Sequence, residues 1–307
     1  MTNKTIKVKC NVKDFLTIND LEPLQGNLKK KSDIDLNKLK NSMKLIYEPR
    51  GKAREYSPLA VNLYKGCGHA CSYCYVPNAI FMNRVEFNKG ANERNQNIIE
   101  QLEKDCIELS SELFANKQVF MSFTTDPYNE LNNKLKLTRK ALELFLKYKI
   151  PVSILTKSGT IALQDLDIIK KFGPNIKVGA SLTYDNSKDS LRVERKAAIP
   201  TSRLRMLKEF HDAGVKTWVS FEPIMQPDQV LNLMNQCITF VDEFQFGKLA
   251  GDKRPSNWNE ILNKIVTTMR NNEKDFYIKK TLRKNGSKVK LNQHEIEQDY
   301  LTLKEFK

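Results

Sequence analysis

Long apolar runs are absent from this chain of 307 residues, and no stretch of eighteen or more uncharged apolar residues occurs in it. No helix is therefore expected to span a membrane. The first residues, MTNKTIKVKC, lack the apolar centre of a secretory leader, so export is not indicated and a cytoplasmic setting is the expectation. Cysteine is scarce: six residues, three of them within positions 67–74. So few thiols in so long a chain exclude a disulfide scaffold, and in a reducing compartment a tight cluster points to metal. Acidic side chains are in deficit as well, 36 against 51 basic ones, for a net charge of +15. That excess concentrates polyanions such as DNA or RNA around the molecule, although the lysine- and asparagine-rich composition that A·T-rich coding produces gives the same excess. With 40% apolar and 28% charged residues, the chain has the makeup of a folded globular protein.

From Pro58 onward, apolar segments of strand length alternate with amphipathic helical ones. Strands are expected at 58–66, 118–127, 150–158, 176–183, 215–224 and 241–249, and helices at 95–114, 136–149, 163–172, 201–214, 227–237 and 257–272. Thr201 or Ser202 is placed to cap the fourth helix and Gly214 to close it. Six strand–helix units with right-handed crossovers imply an α/β fold whose parallel sheet curls into a partial (β/α)6 TIM-like barrel. Chemistry in such folds sits at the carboxyl ends of the strands, where the cysteine loop and the segments TTDPY, TKS, SLT and FEP fall. The expected layout is a basic N-terminal extension over 1–57, the barrel over 58–272 and a basic C-terminal extension over 273–307. The first carries 13 Lys or Arg against 7 acidic residues, a net of +6, with three consecutive lysines at 29–31; residues 279–290 hold six basic side chains and no acidic one. Either extension reads as a phosphate-contacting arm or as a solvated face.

The stretch YKGCGHACSYCY, residues 64–75, sets Cys67, Cys71 and Cys74 at C-x3-C-x2-C spacing. A structural zinc site usually takes two C-x2-C pairs, or a Cys pair with a His pair. Here the remaining cysteines, Cys10, Cys106 and Cys237, stand alone. His69 lies inside the loop and reads as a surface or supporting residue rather than a ligand. Three thiolates can instead anchor three irons of a cubane cluster and leave the fourth iron open to an exogenous molecule.

This loop, with Tyr73 just before its last cysteine, following a first strand and heading a six-unit α/β chain, resembles the signature of the radical S-adenosylmethionine superfamily. The likeness is closest to the spore photoproduct lyase-like branch, also described as DNA repair photolyase-like, and spans about residues 50–250. It rests on NLYKGCGHACSYCYVP (62–77), SFTTDPYNELNNKLKLTRKALELFLKYKIPVSILTKSG (122–159) and VGASLTYDNSKDSLRVERKAAIPTSRLRMLKEFHDAGV (178–215), in that order. The resemblance implies a [4Fe-4S] cluster on Cys67, Cys71 and Cys74 whose open iron chelates S-adenosyl-L-methionine. One electron, supplied through a donor such as flavodoxin or ferredoxin, then yields methionine and a 5′-deoxyadenosyl radical that abstracts hydrogen from a substrate. By matched position, the resemblance implies that Thr124 and Thr125 hold the methionyl amino group and that Lys157 meets the methionyl carboxylate. It further implies that Ser181 and Glu194 contact other polar parts of the cofactor. Tyr75, one residue past the last cysteine, is implied to lie over the cluster and adenine region and to serve catalysis, with Tyr73 in the cofactor site. Asp126 orients a hydroxyl or binds the cofactor, or forms only the Asp-Pro turn. Glu222 of FEP faces the barrel mouth as a substrate or ribose contact, or as the partner of a barrel lysine.

One position departs from the family pattern. True photoproduct lyases place a hydrogen-donating cysteine directly before the Thr/Ser-Asp motif, and Phe123 stands there, with no S–H bond to give. Cys106 lies on the preceding helix and reads as a core residue, which leaves Tyr75 or Tyr128 as candidate donors. The leading expectation is a radical enzyme acting on nucleic acid, in DNA repair or base modification, with a flipped or single-stranded base entering the barrel mouth. Two alternatives stand beside it: the same chemistry on a peptide, protein or small metabolite, and a non-enzymatic nucleic-acid-binding module with zinc or a redox-sensing cluster. No C-terminal domain with extra cysteines for auxiliary clusters, which many peptide-modifying relatives carry, is evident.

Overall fold

The computed structural model describes residues 44–110, 117–249, 251–252, 257–298, 300–302 and 304; the lysines at 29–31 and Cys10 lie outside them. Nine strands occur among the described residues: β1 (Leu59–Val61), β2 (Tyr64–Lys65), β3 (Asn92–Glu93), β4 (Val119–Met121), β5 (Val152–Thr156), β6 (Ile176–Ser181), β7 (Lys216–Ile224), β8 (Glu243–Lys248) and β9 (Asp275–Ile278). β2 and β3 pair as a small antiparallel ribbon. The other seven form one open sheet in chain order, β1-β4-β5-β6-β7-β8-β9, and every pairing is parallel. Parallel neighbours that follow each other in the chain need a crossover each time. Five of the six run through α1 (Ile98–Ser110), α2 (Leu137–Lys147), α3 (Pro200–Asp212), α4 (Pro227–Cys237) and α5 (Trp258–Asn271), and the one from β5 to β6 through shorter helical segments. Among the described residues no helix is long and apolar enough to cross a membrane.

The expected α/β partial barrel is thus present, with four local differences. The strand expected over 58–66 is split: Leu59–Val61 joins the sheet and Tyr64–Lys65 pairs with β3 apart from it. The helix expected over 163–172 is instead a single α turn, Leu166–Ile169, between two 3-10 segments, and Gly173 at φ 54 followed by Pro174 ends it. α3 begins at Pro200, whose missing amide suits a first helical position, so Ile199 takes the cap position and no side chain caps the helix. Ser202 Oγ serves the Thr160 amide instead, at 3.2 Å. A seventh strand, β9, lies within the segment read as the C-terminal extension; its apolar run Phe276–Ile278 is too short to register as a strand by periodicity alone.

Strands covered on both faces read as continuous apolar runs, and β4 and β6 are buried at every position. Curvature follows from contacts between strands that are not neighbours. Ala60 of β1, Phe120 of β4 and Trp218 of β7 form one cluster, with Tyr56, Phe123 and Leu155 packed on it. Trp218 donates to the Ile154 carbonyl at 2.9 Å and lies over Gly179, where a Cβ would stand 2.5 Å from the indole. Outside the lumen, buried Asp105 of α1 accepts the amides of Leu45 and Ile46 at 2.6 and 2.8 Å, tying the chain before β1 to the helix layer.

Lys177 interrupts the apolar run of β6 and is 1% exposed. It bonds both carboxylate oxygens of Glu243, at the start of β8, at 2.8 and 2.7 Å. Burial pushes the Glu243 pKa up, but Lys177 and then Lys216 outweigh it and hold the group below its ordinary 4.5. A depressed folded value means that the contribution is complete above pH 4.5 and is lost as pH falls through the folded value. Glu243→Gln leaves Lys177 buried without a counter-charge and is expected to lower stability by about 3–5 kcal/mol at neutral pH, measured by urea unfolding. The gap to wild type should narrow below pH 4.5, and the paired change Lys177→Met, Glu243→Leu should recover most of the loss.

Candidate active site

The carboxyl ends of the strands converge on one cavity of about 610 Å³, a size typical of small-molecule sites. Its first wall is the cysteine loop. The chain leaves the sheet after β1 at buried Asn62, whose side-chain oxygen accepts the amides of Phe123 and Thr124 at 2.8 and 3.0 Å and so joins the ends of β1 and β4. Gly66 then turns with φ 84, and a Cβ there would meet the Gly90 carbonyl at 2.5 Å, so the entry to the loop requires glycine. Backbone bonds pin the loop on two sides: Cys67 N to Phe87 O at 3.0 Å, and Ser72 N to Val193 O at 2.9 Å. Cys71 pairs with Glu194 in an antiparallel bridge.

Cys67, Cys71 and Cys74 are free thiols, and all three line the cavity. Burial pushes the Cys71 thiol up to about 12 against the pull of Lys157, and burial raises Cys67 and Cys74 too. Such thiols become thiolates when a metal's positive charge displaces their protons. Among the described residues no three His, Cys, Asp or Glu side chains are grouped to share a single ion. His69 is occupied within the protein, with Nδ1 3.6 Å from Asp126 Oδ2 and Nε2 3.3 Å from Ser158 Oγ. Burial lowers its pKa, which favours the neutral ring.

Asp126, after β4, is an anchor. It accepts Thr156 Oγ1 at 2.7 Å, the Lys157 amide at 2.7 Å, the Tyr128 amide at 2.8 Å and Ser158 Oγ at 3.1 Å. Thr124 and Thr125 line the cavity. Thr125 Oγ1 and Ser122 Oγ are buried without a hydrogen-bond partner, and both residues face the cavity. Beyond them, Phe123 stacks on Phe120 with centroids 4.3 Å apart.

Beside Asp126, Lys157 follows β5 and places Nζ 3.3 Å from Glu194 Oε1. Glu194 is fully buried. Arg203 of α3 approaches its Oε2 at 2.7 Å, as an ion pair rather than an aligned hydrogen bond; Tyr73 donates a short bond to it, and Thr183 donates at 3.3 Å. Burial alone would raise this carboxyl, but Lys157 and Arg203 hold it at about 2. Arg203 also donates to the Ser181 carbonyl at 2.9 Å, fixing the end of β6. The third wall holds Glu222 near the end of β7. Its Oε2 accepts Tyr56 Oη at 2.5 Å and Lys279 Nζ at 2.7 Å, and Lys279 lies over the Tyr56 ring.

The cavity therefore unites Cys67, Cys71, Cys74, Tyr73, Tyr75, Thr124, Thr125, Asp126, Lys157, Ser181 and Glu222. Glu194 lies behind the wall as the counter-ion of Lys157. Sequence reading missed Ser122, Tyr56, Arg203 and Lys279. Only Arg203 left a signal: it shares the i, i+3, i+4, i+7 stripe of Met206, Leu207 and Phe210 that α3 buries. Lys279, counted in a basic segment, is buried.

An open parallel α/β barrel with a three-cysteine loop and a cavity at its strand ends defines the class. Residues 61–237 match the model of the Radical SAM superfamily. An uncharacterized protein of Methanocaldococcus jannaschii is 33% identical over 176 residues, 55% of this chain and 61% of that one. One from Acidianus two-tailed virus is 30% identical over 199 residues, 61% of this chain and 63% of that one. The matches thus span just over six-tenths of these curated relatives. Among solved structures, Streptococcus suis SuiB bound to S-adenosylmethionine aligns with a TM-score of 0.57 at 15% identity, over 76% of this chain and 53% of that one. Spore photoproduct lyase complexed with dinucleoside spore photoproduct aligns with a TM-score of 0.51 at 12% identity, over 82% of this chain and 66% of that one. The chain belongs to the radical S-adenosylmethionine superfamily, and its fold is like that of spore photoproduct lyase.

Asp126→Ala removes four acceptor contacts at once and is expected to lower stability by about 2–3 kcal/mol, read by urea unfolding. Asp126→Asn should lose less, because it keeps one side-chain acceptor. A neutral Asp126→Ala would rule out the anchoring role.

Proposed function

We propose that this chain is a radical S-adenosylmethionine enzyme in which Cys67, Cys71 and Cys74 hold a [4Fe-4S] cluster, S-adenosylmethionine occupies the adjoining cavity, and the substrate is a nucleic acid. One observation carries the cofactor half: three free thiols share a cavity with two buried hydroxyls, Ser122 Oγ and Thr125 Oγ1, that have no partner within the protein. A buried hydroxyl left unpaired costs about 1–3 kcal/mol, and polar groups of a methionyl moiety would satisfy both. Such a cluster, when bound, supplies the electron that cleaves the sulfonium of S-adenosylmethionine to a 5′-deoxyadenosyl radical for hydrogen abstraction.

The rest of the site is the protein's part, namely orientation and exclusion of water. Lys157 spends one donor direction on Glu194 and keeps others for a carboxylate. Thr124 and Thr125 face the amino group, and Ser181 other polar parts. Tyr73 positions Lys157 through their shared partner Glu194, and Tyr75 covers the cluster side. Phe120, Phe123 and Tyr56 form an apolar wall.

The net charge of +15 supports a nucleic-acid substrate, as do Arg50, Lys52 and Lys248, which line the cavity. A fold neighbour was crystallised with a dinucleoside spore photoproduct. The thiol relay of the lyases is not carried over, because Phe123 holds the donor position and Cys106 is buried on α1. An external one-electron donor is required, of the flavodoxin or ferredoxin kind.

Anaerobic reconstitution should give brown protein with about four irons per chain that forms 5′-deoxyadenosine from S-adenosylmethionine under reduction. Each Cys→Ala change at 67, 71 or 74 should abolish product, and Lys157→Met should weaken S-adenosylmethionine binding roughly tenfold or more. Affinity for oligonucleotides should fall linearly with the logarithm of salt concentration. A colourless zinc protein, or a cluster inert to S-adenosylmethionine, would end the cofactor reading. No salt-dependent oligonucleotide affinity, with a mass change on a peptide in cell extract, would move the substrate to the class bound by SuiB, which was crystallised with its precursor peptide.

A further inference from the structure

The segment that leaves the cysteine loop folds back on it. After the short helix Val76–Ala79 the chain turns at Phe81, with φ 53, an uncommon conformation for a bulky residue. Asn83 then caps the helix Arg84–Asn88 by accepting the amides of Val85 and Glu86 at 2.8 and 3.4 Å. This return brings Arg84 to the third cysteine: its Nη2 donates to the Cys74 carbonyl at 2.7 Å. The other arm, Nη1, is buried and has no hydrogen-bond partner. The guanidinium is a rigid planar fork, so while Nη2 holds the Cys74 carbonyl Nη1 is kept close to that residue. The acidic residue nearest in the same helix, Glu86, is taken by Lys89 at 2.6 Å. Arg84 therefore brings a positive charge to the backbone of the third cysteine, together with an N–H that no protein atom uses. A buried charged donor left idle is costly, and nothing in the fold of this surface turn requires it.

We propose that Arg84 is a positioning residue for the cluster, one arm fixing the backbone of its third ligand and the other presenting charge and a free N–H to the sulfur side of that ligand. The inference rests on the cluster reading above. Reduction adds one negative charge to an iron-sulfur cluster, and nearby positive charge and N–H donors to its sulfurs stabilise the reduced form and raise the potential. Arg84 thereby eases electron entry beside Cys74, in a segment where Tyr75, Phe81 and Val85 are exposed.

The test uses the full chain, reconstituted anaerobically, with iron content and an EPR-monitored redox titration as readouts besides activity. Arg84→Gln keeps an amide N–H but removes the charge. It is expected to load iron as wild type does and to shift the midpoint to more negative values, with roughly tenfold less reduced cluster at a fixed poise, about 59 mV for one electron. Arg84→Lys keeps the charge and should titrate near wild type. A fully loaded Arg84→Gln protein at the wild-type potential overturns the proposal. Should Arg84→Gln fail to load iron, rescue of loading by Arg84→Lys supports it, and failure of both overturns it, because packing alone then explains the residue. Wild-type protein that takes up no cluster overturns the proposed function and this inference together, an outcome visible before any variant is compared.

Discussion

A fully buried carboxylate that stays ionised must be surrounded by positive charge and donors, since its desolvation alone costs several kcal/mol. Glu194 meets that demand from four separate parts of the chain: Lys157 after β5, Arg203 on α3, Tyr73 in the cysteine loop and Thr183 after β6. Its own backbone pairs with Cys71. None of these elements can shift without exposing an unpaired charge, so one side chain fixes the loop, the lysine and the end of β6 relative to each other. Asp126 does the same on the other flank, joining the ends of β4 and β5 and facing His69 in the loop. The cysteine loop is clamped between two carboxylates, and preorganisation of this kind holds a site to the tolerance that chemistry needs.

The barrel was legible because strands covered on both faces give apolar runs and crossover helices give amphipathic ones. The cysteine spacing and the segments after β4, β5 and β6 marked most of the site, since in parallel barrels the chemistry collects at strand ends. What stayed hidden was the partner of each site residue. The positive charges on α3 look alike in sequence, yet Arg205 and Lys208 make exposed pairs one turn away, with Glu209 and Asp212, while Arg203 lies on the apolar stripe and turns inward. Ser122 and Tyr56 carry no local signal, because their role is set by strands distant in sequence. β9 was missed because three apolar residues between charges do not establish a period.

Charge counting misled in an instructive way. Lys279 belongs to a run of six basic residues without an acidic one, but it is buried and pairs with Glu222. Glu55 accepts the Tyr277 hydroxyl at 2.9 Å and the Lys280 amide at 3.0 Å. The chain ahead of β1 and the chain after β9 are thus stitched together beside the cavity rather than extended from it. Arg50 and Lys52, close to the same stitch, line the cavity instead. Among the described residues, the basic count of a segment therefore does not tell which of its charges reach the cavity.

The cavity is chemically uneven. Its lining combines thiols, hydroxyls and Lys157 with the rings of Phe120, Phe123 and Tyr56. The rings are apolar surface that keeps water away. Tyr56 Oη is engaged by Glu222 and Ser220. Of the two tyrosines that sequence offered as donors, Tyr128 is buried, and its backbone is tied to Asp126 and Ser158 at 2.8 and 2.7 Å, away from the lining. Tyr75 lines the cavity and is 61% exposed. Of those two tyrosines, Tyr75 is the one that the cavity wall carries.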